Sequence, residues 1–144
     1  MAVGLALTPL AACAGDDAEA DYCAVAEEQG AVLRELGSQS ASPGTDVLTP
    51  SVEAVRELRA AAPPELVDDW VTVLNAYEGL ADAVAAAGVP PAAYRQGEVP
   101  PEVRGEARRA IEGAATNLGS LPVLEAAGAV EDHAREVCDV DLGG

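Results

Sequence analysis

Five stretches of this sequence carry an apolar residue at every third or fourth position, and proline or glycine separates neighbouring stretches. That spacing places the apolar side chains on one face of an α-helix, which is buried when helices pack together. No stretch alternates apolar and polar residues as a half-buried β-strand would. We therefore predict an all-α fold, a four- to five-helix antiparallel bundle. The predicted helices cover residues 21–36, 49–62, 64–87, 101–118 and 120–138.

Local signals mark several helix ends. Asp21 and Thr49 precede apolar periodic stretches and are residue types that cap helix N-termini, while Gly37 is a typical stop. Two glycines, Gly79 and Gly128, lie inside predicted helices, where each costs about 1 kcal/mol relative to alanine unless another helix approaches closely. We therefore expect both glycines to be close-packing positions.

The first 13 residues differ in character from the rest of the chain. An apolar run from Ala2 ends in Leu10, Ala11, Ala12 and Cys13, and a small, acidic stretch follows. This pattern of leucine, two small residues and cysteine resembles the signal of bacterial lipoproteins. The resemblance implies that Cys13 receives a diacylglycerol and becomes the mature N-terminus, so that the protein is anchored to the outer face of the cell membrane.

The resemblance divides the chain into a signal segment (1–12), a lipid-anchored acidic linker (13–21) and a helical bundle domain (22–142). Residues 1–10 contain no positive charge, which export signals normally have, and we expect the signal to begin upstream of Met1. The alternative is a cytoplasmic protein with an ordinary cysteine at position 13. The domain resembles no characterised family closely and looks like a small helical lipoprotein from a GC-rich bacterium.

Cysteine usage agrees with an exported protein. The chain has 3 cysteines, and the lipoprotein resemblance assigns one of them to lipid. Outside the cytoplasm the other two, Cys23 and Cys138, are expected to be oxidised. We predict a disulfide between them that joins the first helix to the last. A redox-active pair is the alternative, but it lacks the Cys-x-x-Cys spacing and a flanking basic residue that would lower a thiol pKa.

The charge of the chain excludes several partners. The formal net charge of -17 repels phosphate backbones, and no basic stripe offsets it, so we predict no nucleic-acid binding. The same charge disfavours direct adsorption to anionic lipid. We therefore expect attachment to the membrane through acyl chains alone, and two chains suffice for stable anchoring.

The sequence contains no recognisable catalytic or metal-binding constellation. His133 is the only histidine, and Val130 stands where the Glu-x-x-His motif of helix-bundle di-iron sites requires glutamate. No serine lies in a Gly-x-Ser-x-Gly turn. We expect His133 to be a surface side chain among carboxylates, and we predict a protein that is not an enzyme and needs no metal or cofactor.

Two groups of residues are candidates for binding. Trp70, Leu74 and Tyr77 share a helical face and could line an apolar pocket, although filling the core is the simpler role. Tyr94 and Arg95 lie between two Val-Pro-Pro triplets and could contact a partner, although a plain spacer is the simpler interpretation. We predict a non-catalytic module that binds another envelope protein. The alternative is a carrier for a small apolar ligand, which a cavity beside Trp70 would favour.

Overall fold

The computed structural model describes residues 14–95 and 98–143, and helices dominate this part of the chain. No β-strand occurs among these residues; a single isolated β-bridge joins Arg95 and Glu98. The predicted all-α bundle is therefore confirmed. The lipoprotein signal and Cys13 lie outside the described residues. The five α-helices are α1 (Ala14–Gln39), α2 (Leu48–Ala61), α3 (Val67–Ala86), α4 (Gly105–Leu118) and α5 (Leu121–Cys138).

Helix α3 is the centre of the arrangement. It packs against α2, α4 and α5, and α1 completes the bundle by packing against α2 and α5. A 3₁₀ turn over Pro64–Leu66 leads into α3, and a second over Pro91–Ala93 lies in the connector between α3 and α4. Within the part of the chain that is described, no helix is both long enough and apolar enough to cross a membrane.

Two clusters of buried side chains form the core, and α3 contributes to both because apolar residues recur around much of its surface. The first cluster, between α1, α2, α3 and α5, includes Tyr22, Ala26, Val55, Leu58, Trp70, Val73, Val130 and Ala134. The second, between α2, α3, the connector and α4, includes Leu48, Val52, Leu80, Val84, Val89, Tyr94, Val103 and Ile111. Tyr77 packs at the edge of each cluster and so lies where they meet.

Helix α1 is longer than predicted at both ends. It begins at Ala14, so Asp21 is not its cap, and it passes through Gly37 to end at Gln39. Alanine is the best helix former, and acidic side chains near a helix N-terminus interact favourably with its dipole, which explains why the acidic stretch after residue 13 is helical. Cys23 therefore lies well inside α1 and not in its first turn.

The starts of α2 and α4 also differ from the predictions. The backbone N–H of Thr49 donates a hydrogen bond to the Asp46 carboxylate (3.0 Å), so Asp46, and not Thr49, caps α2. Helix α4 begins at Gly105, later than the predicted start at Pro101, because Pro101 and Glu102 form a turn closed by the N–H of Val103 on the Pro100 carbonyl (3.0 Å).

The expectation that Gly79 and Gly128 are close-packing positions is wrong. A Cβ atom added to either glycine would meet no heavy atom within 4 Å. The close approach occurs at Gly30 instead, where an added Cβ would lie 3.0 Å from the carbonyl oxygen of Asp141. Spacing along one helix did not indicate this contact, because the neighbour is the C-terminal tail and not another helix.

The disulfide between Cys23 and Cys138 is confirmed, with their Cα atoms 5.1 Å apart. Directly after it, Asp139 adopts the left-handed conformation (φ 56°), and the N–H of Val140 donates to the Ala134 carbonyl (3.0 Å). This helix end turns the tail back towards α1, where the Arg34 guanidinium donates to the Asp141 carbonyl. Leu142 is thereby buried in the first core cluster.

An apolar cleft as the candidate functional site

A cleft of about 720 Å³ opens over one face of α3, between α1 and α2 on one side and α4 and α5 on the other. Small-molecule sites in proteins usually measure roughly 300–1,000 Å³, so the volume suits a ligand of modest size. The lining is mostly apolar, and the C-terminal tail reaches one end of the cleft. The apolar and aromatic lining residues include Leu33, Leu36, Leu48, Val55, Trp70, Val73, Tyr77, Leu80, Tyr94, Leu118, Val123, Leu124, Ala127, Val130 and Leu142.

The floor of the cleft is one stripe of α3. Trp70, Val73, Tyr77 and Leu80 are spaced by three, four and three residues, which places them along a single helical face. Two of the three residues predicted to line a pocket, Trp70 and Tyr77, belong to this stripe. Leu74 packs against the first core cluster but is not among the lining residues. The other two residues of the stripe, Val73 and Leu80, were not among the residues predicted to line a pocket.

Trp70 is held rigidly in the floor. Only 2% of its surface is exposed, and its indole Nε1–H donates a hydrogen bond to the Tyr22 hydroxyl (3.1 Å). Burial raises the pKa of Tyr22, and the hydrogen bond from Trp70 lowers it in part. Tyr22 is therefore neutral at ordinary pH, and its hydroxyl oxygen accepts the hydrogen bond from Trp70. The indole belongs to the first core cluster and also lines the cleft, so Trp70 both fills the core and lines a pocket.

His133 lies behind this pair and is not the surface side chain that we expected. It is half-buried, and its ring meets the Tyr22 ring edge to face, with the centroids 5.8 Å apart. Its Nε2 atom is buried and has no hydrogen-bond partner among the described residues. The neighbouring carboxylates suggested that His133 is exposed to solvent. The prediction is wrong because this side of α5 faces α1, which neighbouring residues in the sequence do not indicate.

A charged side chain from α5 also lines the cleft. Glu131 is half-buried and is the one charged residue among the described residues that line the cleft. Burial raises the pKa of Tyr77, and the nearby negative charge of Glu131 raises it further. The cleft therefore combines a long apolar floor with a carboxylate and a neutral phenol that lie close together.

The connector residues predicted as binding candidates have separate roles. Tyr94 is buried (7% exposed) in the second core cluster and lines the cleft. The Arg95 guanidinium donates to the Ala41 carbonyl (2.9 Å) and lies 3.8 Å from the Glu98 carboxylate. Arg95 thus attaches the connector to the loop that follows α1. The two residues do not form one exposed patch, because adjacent residues in extended backbone point to opposite sides.

Within the described part of the chain, no group of three or more His, Cys, Asp and Glu side chains lies close enough to hold a metal ion. The fold and the cleft together define a small, disulfide-linked helical bundle with an apolar cleft. Comparison of the chain with protein-family models, with curated proteins and with solved structures found no match.

Proposed function

We propose that this protein is a non-catalytic carrier that holds a small apolar molecule in the cleft over Trp70, at the outer face of the cell membrane. The observation that supports a carrier is the cavity beside Trp70, which is large, mostly apolar and built on the central helix. Covering apolar surface that water would otherwise contact is favourable by roughly 25 cal/mol per Å². A ligand in the cleft would cover lining side chains that are partly exposed, such as Leu36, Leu118 and Leu124, and would therefore gain affinity without any covalent chemistry.

The test uses Trp70, the only tryptophan in the chain, as a reporter. Titration of the purified, oxidised protein with the neutral apolar probe N-phenyl-1-naphthylamine should change the Trp70 emission in a saturable way with one probe per protein. Trp70 lines the cleft, so a probe bound there lies near the indole. Unsaturable or absent binding would overturn the carrier proposal.

A matched pair of variants locates the bound probe. Ala127 lines the cleft, whereas Ala129 is exposed on the same helix and does not line it. Ala127→Leu should fill part of the cleft and weaken probe binding about tenfold, and Ala129→Leu should leave binding unchanged. Equal effects of the two substitutions would show that the probe binds elsewhere, provided that melting curves show both variants to be folded.

The proposed location at the membrane depends on Cys13 and is tested separately. If Cys13 carries the diacylglycerol, Cys13→Ser should release the protein from the membrane fraction of an expressing bacterium into the soluble extracytoplasmic fraction. Cys23→Ser/Cys138→Ser, which removes the disulfide but leaves the lipidation motif intact, should leave the protein membrane-bound. Detergent partitioning that is the same for Cys13→Ser and the native chain would contradict the anchor.

A second function, binding to another envelope protein, is favoured by one specific feature of the surface. Leu121 and Leu124 follow the turn between α4 and α5 and are 67% and 57% exposed. Exposed apolar side chains that lie together are typical of interaction sites. Leu121→Ser, which leaves the cleft lining unchanged, should abolish crosslinking to an envelope protein on intact cells while probe binding persists. Crosslinking that survives this substitution would contradict the interaction site.

A further inference from the structure

Among the described residues, none gives the carboxylate of Glu131 a counter-charge in the cleft, because no arginine in that part of the chain lines the cavity. Arg135, one turn further along α5, pairs with Asp132 (2.9 Å), and Arg56 on α2 pairs with Glu78 (2.6 Å). Arg34 contacts the tail near Gly143, but its guanidinium donates to the Asp141 carbonyl. The described residues therefore give Glu131 no ion pair, although it is half-buried among apolar side chains.

A partly desolvated carboxylate without a partner discriminates strongly between ligands. A cationic group placed beside it would replace lost hydration with a charge-assisted hydrogen bond, whereas a second carboxylate would add repulsion in a medium that screens poorly. The formal net charge of -17 acts in the same direction at longer range and raises the local concentration of cations. Both effects oppose fatty acids, which would otherwise suit an apolar cleft of this size.

The Tyr77 hydroxyl strengthens this discrimination. It lines the cleft close enough to Glu131 to experience its charge, and it remains a neutral donor and acceptor at ordinary pH. An ammonium nitrogen has several N–H donors, so one that donates to the Glu131 carboxylate keeps others for a second acceptor such as a phenol oxygen. A hydroxyl head has a single donor and gains no charge-assisted hydrogen bond.

From this geometry we infer that the cleft selects amphiphiles with an alkyl body and an ammonium head, whose nitrogen binds at Glu131 while the body lies along the floor formed by Trp70, Val73 and Leu80. This inference rests on the proposed carrier function and adds the chemical class of the ligand. It assigns Glu131 a role in selectivity, with Tyr77 as its neighbour.

The experiment compares three ligands with the same twelve-carbon chain: dodecylammonium, dodecanol and dodecanoate. The two ionic ligands are titrated below their micelle concentrations, and dodecanol below its solubility limit, into the oxidised protein at pH 7, where an amine is protonated and a carboxylic acid is ionised. Binding is read from Trp70 emission and from displacement of N-phenyl-1-naphthylamine. We expect dodecylammonium to bind about tenfold more tightly than dodecanol, and dodecanoate to bind at least about tenfold more weakly than dodecanol.

Two charge-removing variants separate a local effect from the field of the whole protein. Glu131→Gln should bring dodecylammonium to the affinity of dodecanol while leaving dodecanol binding unchanged. Glu125→Gln removes the same charge from an exposed position on α5 that does not line the cleft, and should preserve the native ranking. Circular dichroism and melting curves of both variants confirm that the fold is retained.

The outcomes distinguish this inference from the proposed function. If dodecanol binds in the cleft but dodecylammonium binds no more tightly, or dodecanoate binds best, the selectivity of Glu131 is overturned and the carrier function stands. An ammonium preference that persists in Glu131→Gln, or is lost equally in Glu125→Gln, would assign the preference to overall charge and also overturns the inference. If none of the three ligands or the neutral probe binds, the carrier function itself is overturned.

Discussion

At the scale of single residues, close approaches between distant parts of the chain determine which positions tolerate change. Gly30 on α1 lies against the C-terminal tail, and Gly79 on α3 faces open space, although both are helical glycines. Their sequence contexts do not distinguish them. The same substitution at the two sites therefore separates helix propensity from tertiary packing.

Gly30→Val should destabilise the fold, because its side chain would displace the Asp141 carbonyl and the tail that buries Leu142. Overpacking of this kind costs about 1–3 kcal/mol. Gly79→Val should change the free energy of unfolding by less than about 0.5 kcal/mol, because an added side chain meets nothing there and valine is a slightly better helix former than glycine. Urea denaturation of the two variants measures both values. A Gly30→Val protein as stable as Gly79→Val would contradict the packing of the tail on α1.

The raised pKa values of two tyrosines in the cleft region predict that the free energy of unfolding falls at alkaline pH. Burial is the main cause of the raised pKa of both Tyr22 and Tyr77. As pH rises above about 10, the unfolded chain loses these phenolic protons while the folded chain keeps them. The unfolded state then binds fewer protons than the native state, so the free energy of unfolding falls as pH rises further.

Denaturant unfolding between pH 8 and 11 measures this dependence. Tyr77→Phe should flatten the alkaline decline in stability, because it removes one group whose pKa differs between the folded and unfolded states. Tyr22→Phe should flatten it as well and also lower stability at neutral pH, since Trp70 Nε1–H loses its acceptor. If the free energy of unfolding declines with pH as steeply in both variants as in the native protein, other groups cause the decline.

At the scale of helices, the ends depend on side-chain contacts that a residue type only suggests. Thr49 and Asp46 are both capping residue types, but only Asp46 accepts a backbone N–H at the start of α2. Asp46→Ala should cost about 1 kcal/mol of stability, in the normal range for a lost cap. Thr49→Ala should cost less than half of that. Thermal unfolding of the pair is the measurement, and the reverse order would restore Thr49 as the cap.

At the scale of the whole molecule, the disulfide ties α1 to the last residue of α5 across 115 positions of sequence. Closing so long a loop restricts the unfolded chain and stabilises the fold by about 5 kcal/mol in the chain-entropy model. Reduction should therefore lower the melting temperature by roughly 10–20 °C for a domain of this size. Calorimetry with and without reductant tests this, and Cys23→Ser/Cys138→Ser, whose melting temperature should not respond to reductant, is the control. An unchanged melting temperature on reduction of the native protein would contradict a stabilising bridge.

The sequence by itself determined the helical class, four of the five helix positions to within a few residues, and the pairing of Cys23 with Cys138. Apolar spacing is a local property, and helices satisfy their own backbone hydrogen bonds, so the helical class and the helix positions need no knowledge of neighbouring elements. The pairing followed from the cysteine count, because only Cys23 and Cys138 remain once Cys13 is assigned to lipid. The sequence also identified Trp70 and Tyr77, because residues seven positions apart share a helical face. Outside the described residues, the lipid anchor at Cys13 stays a prediction.

Only the tertiary structure decided what the helical faces meet. It placed Val73 and Leu80 in the cleft and left Leu74 outside. It also buried Tyr94, whereas Arg95 attached the connector to the loop after α1. On α5, it turned His133 towards Tyr22. It also made Glu131, one acidic residue among many in the sequence, the charged group of the cleft. These outcomes depend on how each helix is rotated against its neighbours, and that rotation follows from packing side chains that are distant in the sequence.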